Sequence, residues 1–490
     1  MDLQKFNLLG ITLLPLMGII LLMVWRKSTK TQAAVVGILS ESLTLVSALM
    51  LIPVLNGGQT VSFSVPWIEN MGINYSLELN WLSLIFLLTE ILVTLAGMFF
   101  SLGETTGEKN SNFYYALLLL FSLGMSGTTL AEDVFLFYVF WELMLIASVI
   151  LIVIWGKGEA RNRVALKYFI LTHLGSLMVL VSLITLYVNT GTASLNEIGM
   201  SAGALPIGLI NFLIAFFVIG FCVKMAIFPL HIWLPDAHTV APMPVTIVLA
   251  AAMLSMGTYG ILRFPIAIFS LDKMQPFALW MMIAGLVSEV YGAMMAFAEK
   301  KIKRIIAYSS VSQMGYILYG LGTLTEAGMI GGIMHVVYHA IVKALLFMVV
   351  GILLNITHEE ELQNVSGLGK KLPALAICAA IGVLGISGMP PLGIFNSEWM
   401  IFTGGFNTGF PVVLTVLTLL GSLFTVVYAL RFFGSLFFGK LKPADIKKPS
   451  NWLMATTIVV TVFLIVEGIA PAPLYSWAAN SLITVLGGIP

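Results

Sequence analysis

The sequence predicts an all-α polytopic membrane protein of about 14 transmembrane helices, containing two inverted five-helix repeats that each include a broken helix. Three observations lead there. Apolar stretches of about twenty residues, the length that crosses a bilayer, fill the chain almost end to end. Only 10% of the residues are charged while 59% are hydrophobic, against roughly 25% charged in soluble domains. Lys and Arg also concentrate in alternate loops, as they do on the cytoplasmic side of membrane proteins.

The spans are expected at about 6–25, 33–55, 79–103, 113–130, 134–155, 164–188, 205–237, 243–270, 275–298, 303–323, 328–355, 372–403, 409–438 and 452–475. The first lacks a basic n-region and a small-residue cleavage site, and more spans follow at once, so it reads as a true span and not a signal peptide. Between the second and third, the polar, β-prone stretch 57–77 reads as an extracytoplasmic hairpin. The odd-numbered loops carry Arg26, Lys27 and Lys30, then Lys109, then Lys157, Arg161 and Arg163, then Lys300, Lys301, Lys303 and Arg304, then Lys370 and Lys371, then Lys440, Lys442, Lys447 and Lys448. The even-numbered loops hold Lys273 among acids such as Glu69, Glu132, Asp133, Glu197 and Glu326. This alternation implies an even span count with both termini extracytoplasmic, in a cell membrane. The chain ends soon after the fourteenth span.

Two spans carry internal prolines. The seventh reads FCVKMAIFPLHIWLPDAH, with Pro229 and Pro235, and the twelfth reads GISGMPPLGIFNSEWM, with Pro390 and Pro391. Proline removes a backbone donor and clashes with the preceding turn, so each span is expected to split into half-helices around unwound backbone. They lie five spans apart. That spacing divides the chain into helices 1–3 (1–112), a first repeat of helices 4–8 (113–270), a second of helices 9–13 (275–438), and a cytoplasmic linker with helix 14 (439–490). An odd number of helices per unit turns adjacent repeats upside down relative to each other, the plan of many ion transporters. The plainer alternative is that Pro and Gly are simply common in membrane helices.

An ionisable group at bilayer depth costs at least about 2.5–3.5 kcal/mol, so it survives where it pairs, lines water or works. Glu142 sits mid-span in VFWELMLIAS and Lys224 just before the seventh-span break. His335, His339 and Lys343 recur at four-residue spacing, and Glu398 follows the twelfth-span break. Four-residue spacing stacks three side chains on one helix face. A lysine in low dielectric loses preference for its charged form and a nearby carboxylate restores it, so such a pair can load and release a proton. Histidines, titrating near neutrality, suit the links between pairs. The competing readings are a static Glu142/Lys224 ion pair and histidines that merely bond across helices. Lys167 either reaches Glu142 or snorkels to the cytoplasmic surface. His173, His231 and His238 are further candidate members, and Asp236 serves equally as a half-helix cap. Glu41, Glu90, Glu289, Arg263, Arg431 and Glu467 read as structural partners or interface residues.

Several function classes find no support. A net charge of +1 gives no electrostatic basis for nucleic-acid binding. Cys222 and Cys378 stand alone in apolar stretches, so the chain offers neither a disulfide framework nor a thiolate metal site. His335 and His339 have metal-ligand spacing, but no carboxylate or thiol accompanies them in the motif. No cofactor, metal or redox chemistry of its own is therefore expected. Nucleophile triads and phosphate-binding loops are also missing at plausible spacing.

At these motifs the sequence resembles the antiporter-like membrane subunits of respiratory complex I, of Mrp sodium/proton antiporters and of energy-converting membrane-bound hydrogenases. FYVFWELMLIAS (137–148) is similar to the family's fifth-helix glutamate motif and VKMAIFPLHIWLPDAH (223–238) to its seventh-helix lysine motif. MGTYGILRF (256–264), KIKRIIAYSSVSQMGY (301–316) and HAIVKALLF (339–347) resemble its eighth, tenth and eleventh helices. The resemblance implies an ion-translocating subunit, moving protons or sodium and working with other membrane subunits. Glu142 and Lys224 would be its first paired site, His335, His339 and Lys343 its second-half relay, and Glu398 its terminal group. WLPDAH and the acid in NSEWM favour the complex I and hydrogenase branches, with ion movement driven by electron transfer in partner subunits. An Mrp-type antiporter without redox chemistry is the alternative, and a homologue that has lost conduction a third. Where much of the family has a lysine or histidine before MGTYG, this chain has Ser255, which cannot hold a positive charge. The bridge between the two halves must then use water, His231, His238 or another group.

Overall fold

The computed structural model describes residues 3–25, 28–104, 109–443 and 446–487. Arg26 and Lys27, two of the loop cations named above, lie outside the described residues. The chain is an all-α multi-pass membrane protein. Its helices are α1 (Leu3–Val24), α2 (Lys30–Leu49), α3 (Ile52–Asn56), α4 (Trp81–Ser101), α5 (Ser111–Leu130), α6 (Val134–Trp155), α7 (Arg161–Thr190), α8 (Leu195–Ser201), α9 (Ile207–Met225), α10 (Leu234–Val240), α11 (Met243–Val248), α12 (Ser255–Ile261) and α13 (Leu271–Ala298). They continue as α14 (Ile302–Gly322), α15 (Glu326–Thr357), α16 (Pro373–Ile386), α17 (Gly393–Phe406), α18 (Val412–Phe437), α19 (Asn451–Ile469) and α20 (Ala472–Val485). Between α3 and α4, β1 (Val61–Ile68) and β2 (Ile73–Leu79) pair antiparallel.

Among the described residues, 12 helical segments are long and apolar enough to cross a membrane. Two sequence-expected spans are not among them, for different reasons. α14 has the length, but Lys303, Arg304, Ser309, Ser310, Ser312 and Gln313 make it too polar, and it is buried inside the bundle instead of facing lipid. α16 and α17 have 14 residues each, about 21 Å of helix apiece, short of a hydrocarbon core of about 30 Å.

Both proline-bearing spans are interrupted. α9 stops at Met225, where Ala226 turns left-handed at φ 56°, and helix resumes only at Leu234. The freed backbone is partly satisfied by side chains: the Trp233 indole donates to Val223 O at 3.0 Å and Phe228 N donates to Ser288 Oγ at 2.6 Å. α16 and α17 are separated by Ser387–Leu392, with Gly388 left-handed at φ 62°. The eighth span holds a difference that its residues do not announce. α11 and α12 are each followed by a π-helical stretch, Leu249–Met253 and Leu262–Ile266, an i→i+5 pattern that hydropathy cannot distinguish from α. The last expected span, 452–475, is also corrected. α19 ends at Ile469, Pro471 begins a new element, and α20 packs back on α4 and α15.

α15 runs through the middle of the bundle, touching α4, α14, α16, α17, α19 and α20. α13 and α14 approach closely because glycines face each other: a Cβ on Gly285 would stand 2.6 Å from Tyr319 N, and one on Gly315 2.5 Å from Glu289 N. On α7, Leu166, Ile170, Leu174, Leu177, Val181, Ile184 and Val188 form an exposed apolar stripe, the face a membrane helix turns to lipid. Lys224, His335, His339, Lys343 and Glu398 lie on inward faces.

Candidate functional site: ionisable side chains inside the bundle

α6 carries Glu142 one position after Trp141, and the two point different ways. Glu142 Oε2 lies 3.1 Å from His173 Nδ1 on α7. Lys224, buried at the end of α9, places Nζ 5.0 Å from the centre of the Trp141 ring, a cation–π distance. The Glu142 charge acts on Lys224, but the pair does not close to within 4.0 Å, and Lys224 Nζ has no hydrogen-bond partner among the described residues. The structure thus brings Glu142, His173 and Lys224 together around Trp141, with the acid bonded to the histidine and not to the lysine.

Lys167 does not contact Glu142; its side chain is part-exposed and pairs with Asp236. Its Nζ is 2.9 Å from Asp236 Oδ2, and Asp236 Oδ1 is 2.7 Å from Arg304 Nη1. Arg304 Nε in turn bonds Glu299 Oε2 at 2.9 Å. Asp236 in the first turn of α10 is therefore the centre of an ion-pair chain that ties the far half of the broken seventh span to α7 and α14. Glu299, in the turn between α13 and α14, is partly buried, which works to raise its pKa. The backbone N–H of Lys300, the Arg304 side chain, the N–H of Lys301 and the Arg304 charge outweigh this and hold it below the usual glutamate value.

His231 occupies the unwound stretch between α9 and α10, packed against Phe228, Tyr291 and Tyr308. His238 on α10 is fully buried and stacks on Phe347 of α15 at 5.5 Å. Lys303 donates to Ala241 O at 2.6 Å and lines a cavity of about 190 Å³, together with Lys157, Lys301 and Glu360. Ser255 is buried, and its hydroxyl donates back to Ala252 O at 2.5 Å, the local bond a serine makes inside a helix.

On α15 the three stacked side chains have three different settings. His335 joins α14 to α17, with Nε2 3.0 Å from Gln313 Oε1 and Nδ1 3.0 Å from Ser397 Oγ, and its ring stacks on Tyr316. His339, one turn on, is buried with neither ring nitrogen hydrogen-bonded among the described residues. Lys343 donates to Ile306 O at 3.0 Å and to Ser309 Oγ. No carboxylate lies within 4.0 Å of it among the described residues. Glu398 of α17 is buried against the left-handed Gly388, where an added Cβ would collide with its carboxylate. Residues beyond the sequence-derived set belong here too. Glu289 of α13 is fully buried against Gly421 of α18 and shares the surroundings of Tyr316 with Glu398. Gln313 and Ser309 carry no signal in the sequence, being two polar residues in a serine-rich helix. Among the described residues no three His, Cys, Asp or Glu side chains are grouped to hold a metal ion.

With this geometry in place, comparison with known proteins is informative. Residues 131–425 match the family described as "NADH:quinone oxidoreductase/Mrp antiporter, TM". The chain is 34% identical over 450 residues to NADH-quinone oxidoreductase subunit M of Escherichia coli (strain K12), covering 86% of each. Its fold is similar to a chain of respiratory complex I from Thermus thermophilus with bound NADH (TM-score 0.86, 25% identity, 98% of this chain and 100% of that one). It is also similar to a chain of the Mrp complex from Dietzia sp. DQ12-45-1b (TM-score 0.85, 25% identity, 98% of this chain), of which it spans only 52%. The chain belongs to the NADH:quinone oxidoreductase/Mrp antiporter transmembrane family.

Proposed function

We propose that this chain is the proton- or sodium-translocating, antiporter-like membrane subunit of an energy-converting oxidoreductase complex. It works among other membrane subunits and moves ions in response to electron transfer in its partners. The observation that carries this reading is the state of the two central lysines. Lys224 and Lys343 lie inside the bundle, one against an aromatic ring and the other on a hydroxyl and a carbonyl, and neither is neutralised by a contacting carboxylate. A static structural ion pair would be closed. Lys224, beside Trp141 and out of contact with Glu142, and Lys343, held by a hydroxyl and a carbonyl, can each change protonation when a charge moves toward or away from them.

In this reading Glu142 and Lys224 form the first-half site, with His173 as the acid's partner. His339 and His335 continue from Lys343 toward Glu398, and Glu289 joins the terminal acid near Tyr316. The hydroxyl of Ser255 is committed to its own helix, so His238, buried and stacked on Phe347 one turn from Lys343 on α15, is the better bridge between the halves. Lys167 is assigned to the Asp236 ion-pair chain and not to the relay, and His231 remains a candidate beside the seventh-span break. The 14-span count, the inverted repeats of 113–270 and 275–438, and extracytoplasmic termini in the cell membrane belong to the same proposal, supported by the loop charges and by the two matching helix breaks.

A second reading, a subunit of an Mrp-type antiporter without redox chemistry, is favoured by the likeness to the Mrp complex chain. Purifying the native assembly decides between them: metal-cluster and quinone- or hydrogenase-type subunits copurify under the first reading, whereas donor-independent sodium/proton exchange in vesicles marks the second. Under either, Glu142→Gln and Lys224→Ala abolish ion pumping in a correctly assembled complex. Unchanged pumping would eliminate the relay.

A further inference from the structure

Away from the relay, the seam between α2, α4 and α5 holds a second set of buried acids. Glu41 of α2 and Glu90 of α4 are both fully buried, and Ser122 and Ser126 of α5 stand between them. Ser122 Oγ is 2.6 Å from Glu41 Oε1 and 3.1 Å from Glu90 Oε2, and Ser126 Oγ bonds Glu90 Oε1. These are three oxygen–oxygen contacts served by two hydroxyl hydrogens. Ser126 supplies one of them and Ser122 can supply only one of its two. The remaining contact needs a hydrogen on a carboxyl group, or it becomes a repulsion between oxygens in a low-dielectric interior.

Charge leads to the same requirement. Two ionised carboxylates without a cation are among the costliest things a protein can bury, and no Lys, Arg or His lies within 4.0 Å of either acid among the described residues. Neighbouring elements carry other ionisable groups: Lys30 lies at the start of α2, Glu142 on α6, which packs on α5, and Arg263 just beyond α12, which packs on α4 and α5. α1 packs on α2 and α5, and its one ionisable side chain, Lys5, is in its first turn. α15 and α19 carry Lys343 and Glu467 and pack on α4, where Leu88, Leu92 and Val93 line a groove with Leu45 and Leu49 of α2, Ile341, Val460 and Glu467.

A further buried group faces the seam. Thr94 is fully buried, and its Oγ1 has no hydrogen-bond partner among the described residues. It lies four residues after Glu90 and four before Met98, whose Sδ would be 3.5 Å from a Cβ on Gly37 of α2. Residues at that spacing share a helix face, so Thr94 is turned into the same seam, as is the unbonded Glu41 Oε2.

We propose that Glu41 and Glu90 form a proton-binding dyad that holds one proton between them across Ser122, a site separate from the Glu142, Lys224 and Lys343 relay and independent of it. The pair titrates as a unit, as coupled carboxylates do.

The test is infrared difference spectroscopy on the purified native assembly near neutral pH, comparing wild type with Glu41→Gln/Glu90→Gln in the protonated-carboxyl C=O region. The expected result is a band of one carboxyl's intensity that shifts in D2O and is lost in the double variant. It should be unaffected when K+ is replaced by Na+. Ser122→Ala keeps both acids and tests the bridge if the double variant fails to assemble: the band persists at a shifted frequency. No band assignable to these residues, or no response to Ser122→Ala, overturns the dyad. A band that Na+ abolishes also overturns it, showing a sodium site in its place.

Discussion

Glu142 on α6 holds its hydrogen bond to His173 on α7, while the lysine that its charge influences, Lys224, rests on the ring of the intervening Trp141. The acid therefore has one partner in contact, His173, and one at a distance, Lys224. If His173 is the group that loads or unloads Glu142, His173→Ala should slow pumping to a rate between wild type and Glu142→Gln. Initial rates of ion uptake by vesicles check this, and a wild-type rate would assign His173 a purely structural part.

Ser255 spends its only donor on Ala252 O. Ser255→Ala deletes a bond within the helix and no contact along the relay. Pumping by the assembled complex should stay near the wild-type rate, since the bond lost is local to the helix and costs stability of about 1 kcal/mol or less. A pumping defect at normal assembly levels would show that the hydroxyl carries the bridge after all.

Gly388 is required twice over. It adopts φ 62°, and an added Cβ would overlap the Glu398 carboxylate. Gly388→Ala should thus displace Glu398 and reproduce the pumping defect of Glu398→Gln, while a helix-capping substitution elsewhere in the break would not. Coupled pumping assays on both variants in assembled complexes make the comparison.

The Asp236, Arg304 and Glu299 chain gives a pH-dependent prediction. Glu299 sits below its ordinary value in the folded protein, so its stabilising contribution is complete above the unfolded glutamate value of about 4.3 and is lost as pH falls through the lower folded one. Glu299→Gln should weaken amide protection at the α13–α14 turn by about tenfold at neutral pH, given about 1.5–3 kcal/mol for a charge-assisted bond. The difference from wild type should vanish in strong acid. Hydrogen exchange of residues 298–305 measured across pH tests this, and a pH-independent difference would rule out the carboxylate as its cause.

Much of this was legible in the sequence because the informative residues break a rule of their surroundings. Pro229, Pro390 and Pro391 interrupt helices, and Glu142, Lys224, Lys343 and Glu398 are charges in apolar stretches. Partners were not legible. Ser309 and Gln313 meet Lys343 and His335 across a helix interface, 34 and 22 residues away, and nothing local distinguishes them from other small polar residues. Lys167 could not be assigned to Asp236 by spacing, since their contact depends on how α10 turns after the break. The π-helical stretch Leu249–Met253 is written in Leu, Ala and Met, which suit an α-helix equally well. α20 escaped notice because its apolar content continues that of α19 across Pro471.

The central claim is that buried lysines without contacting counter-charges carry the ion through this subunit. It is tested most directly by the ratio of ions moved to electrons transferred in vesicles bearing the fully assembled complex with Lys343→Ala. The complex should assemble and this ratio should fall, because Ile306 O and Ser309 Oγ then face a methyl group with no proton to pass. An assembled Lys343→Ala complex that keeps the wild-type ratio would contradict it.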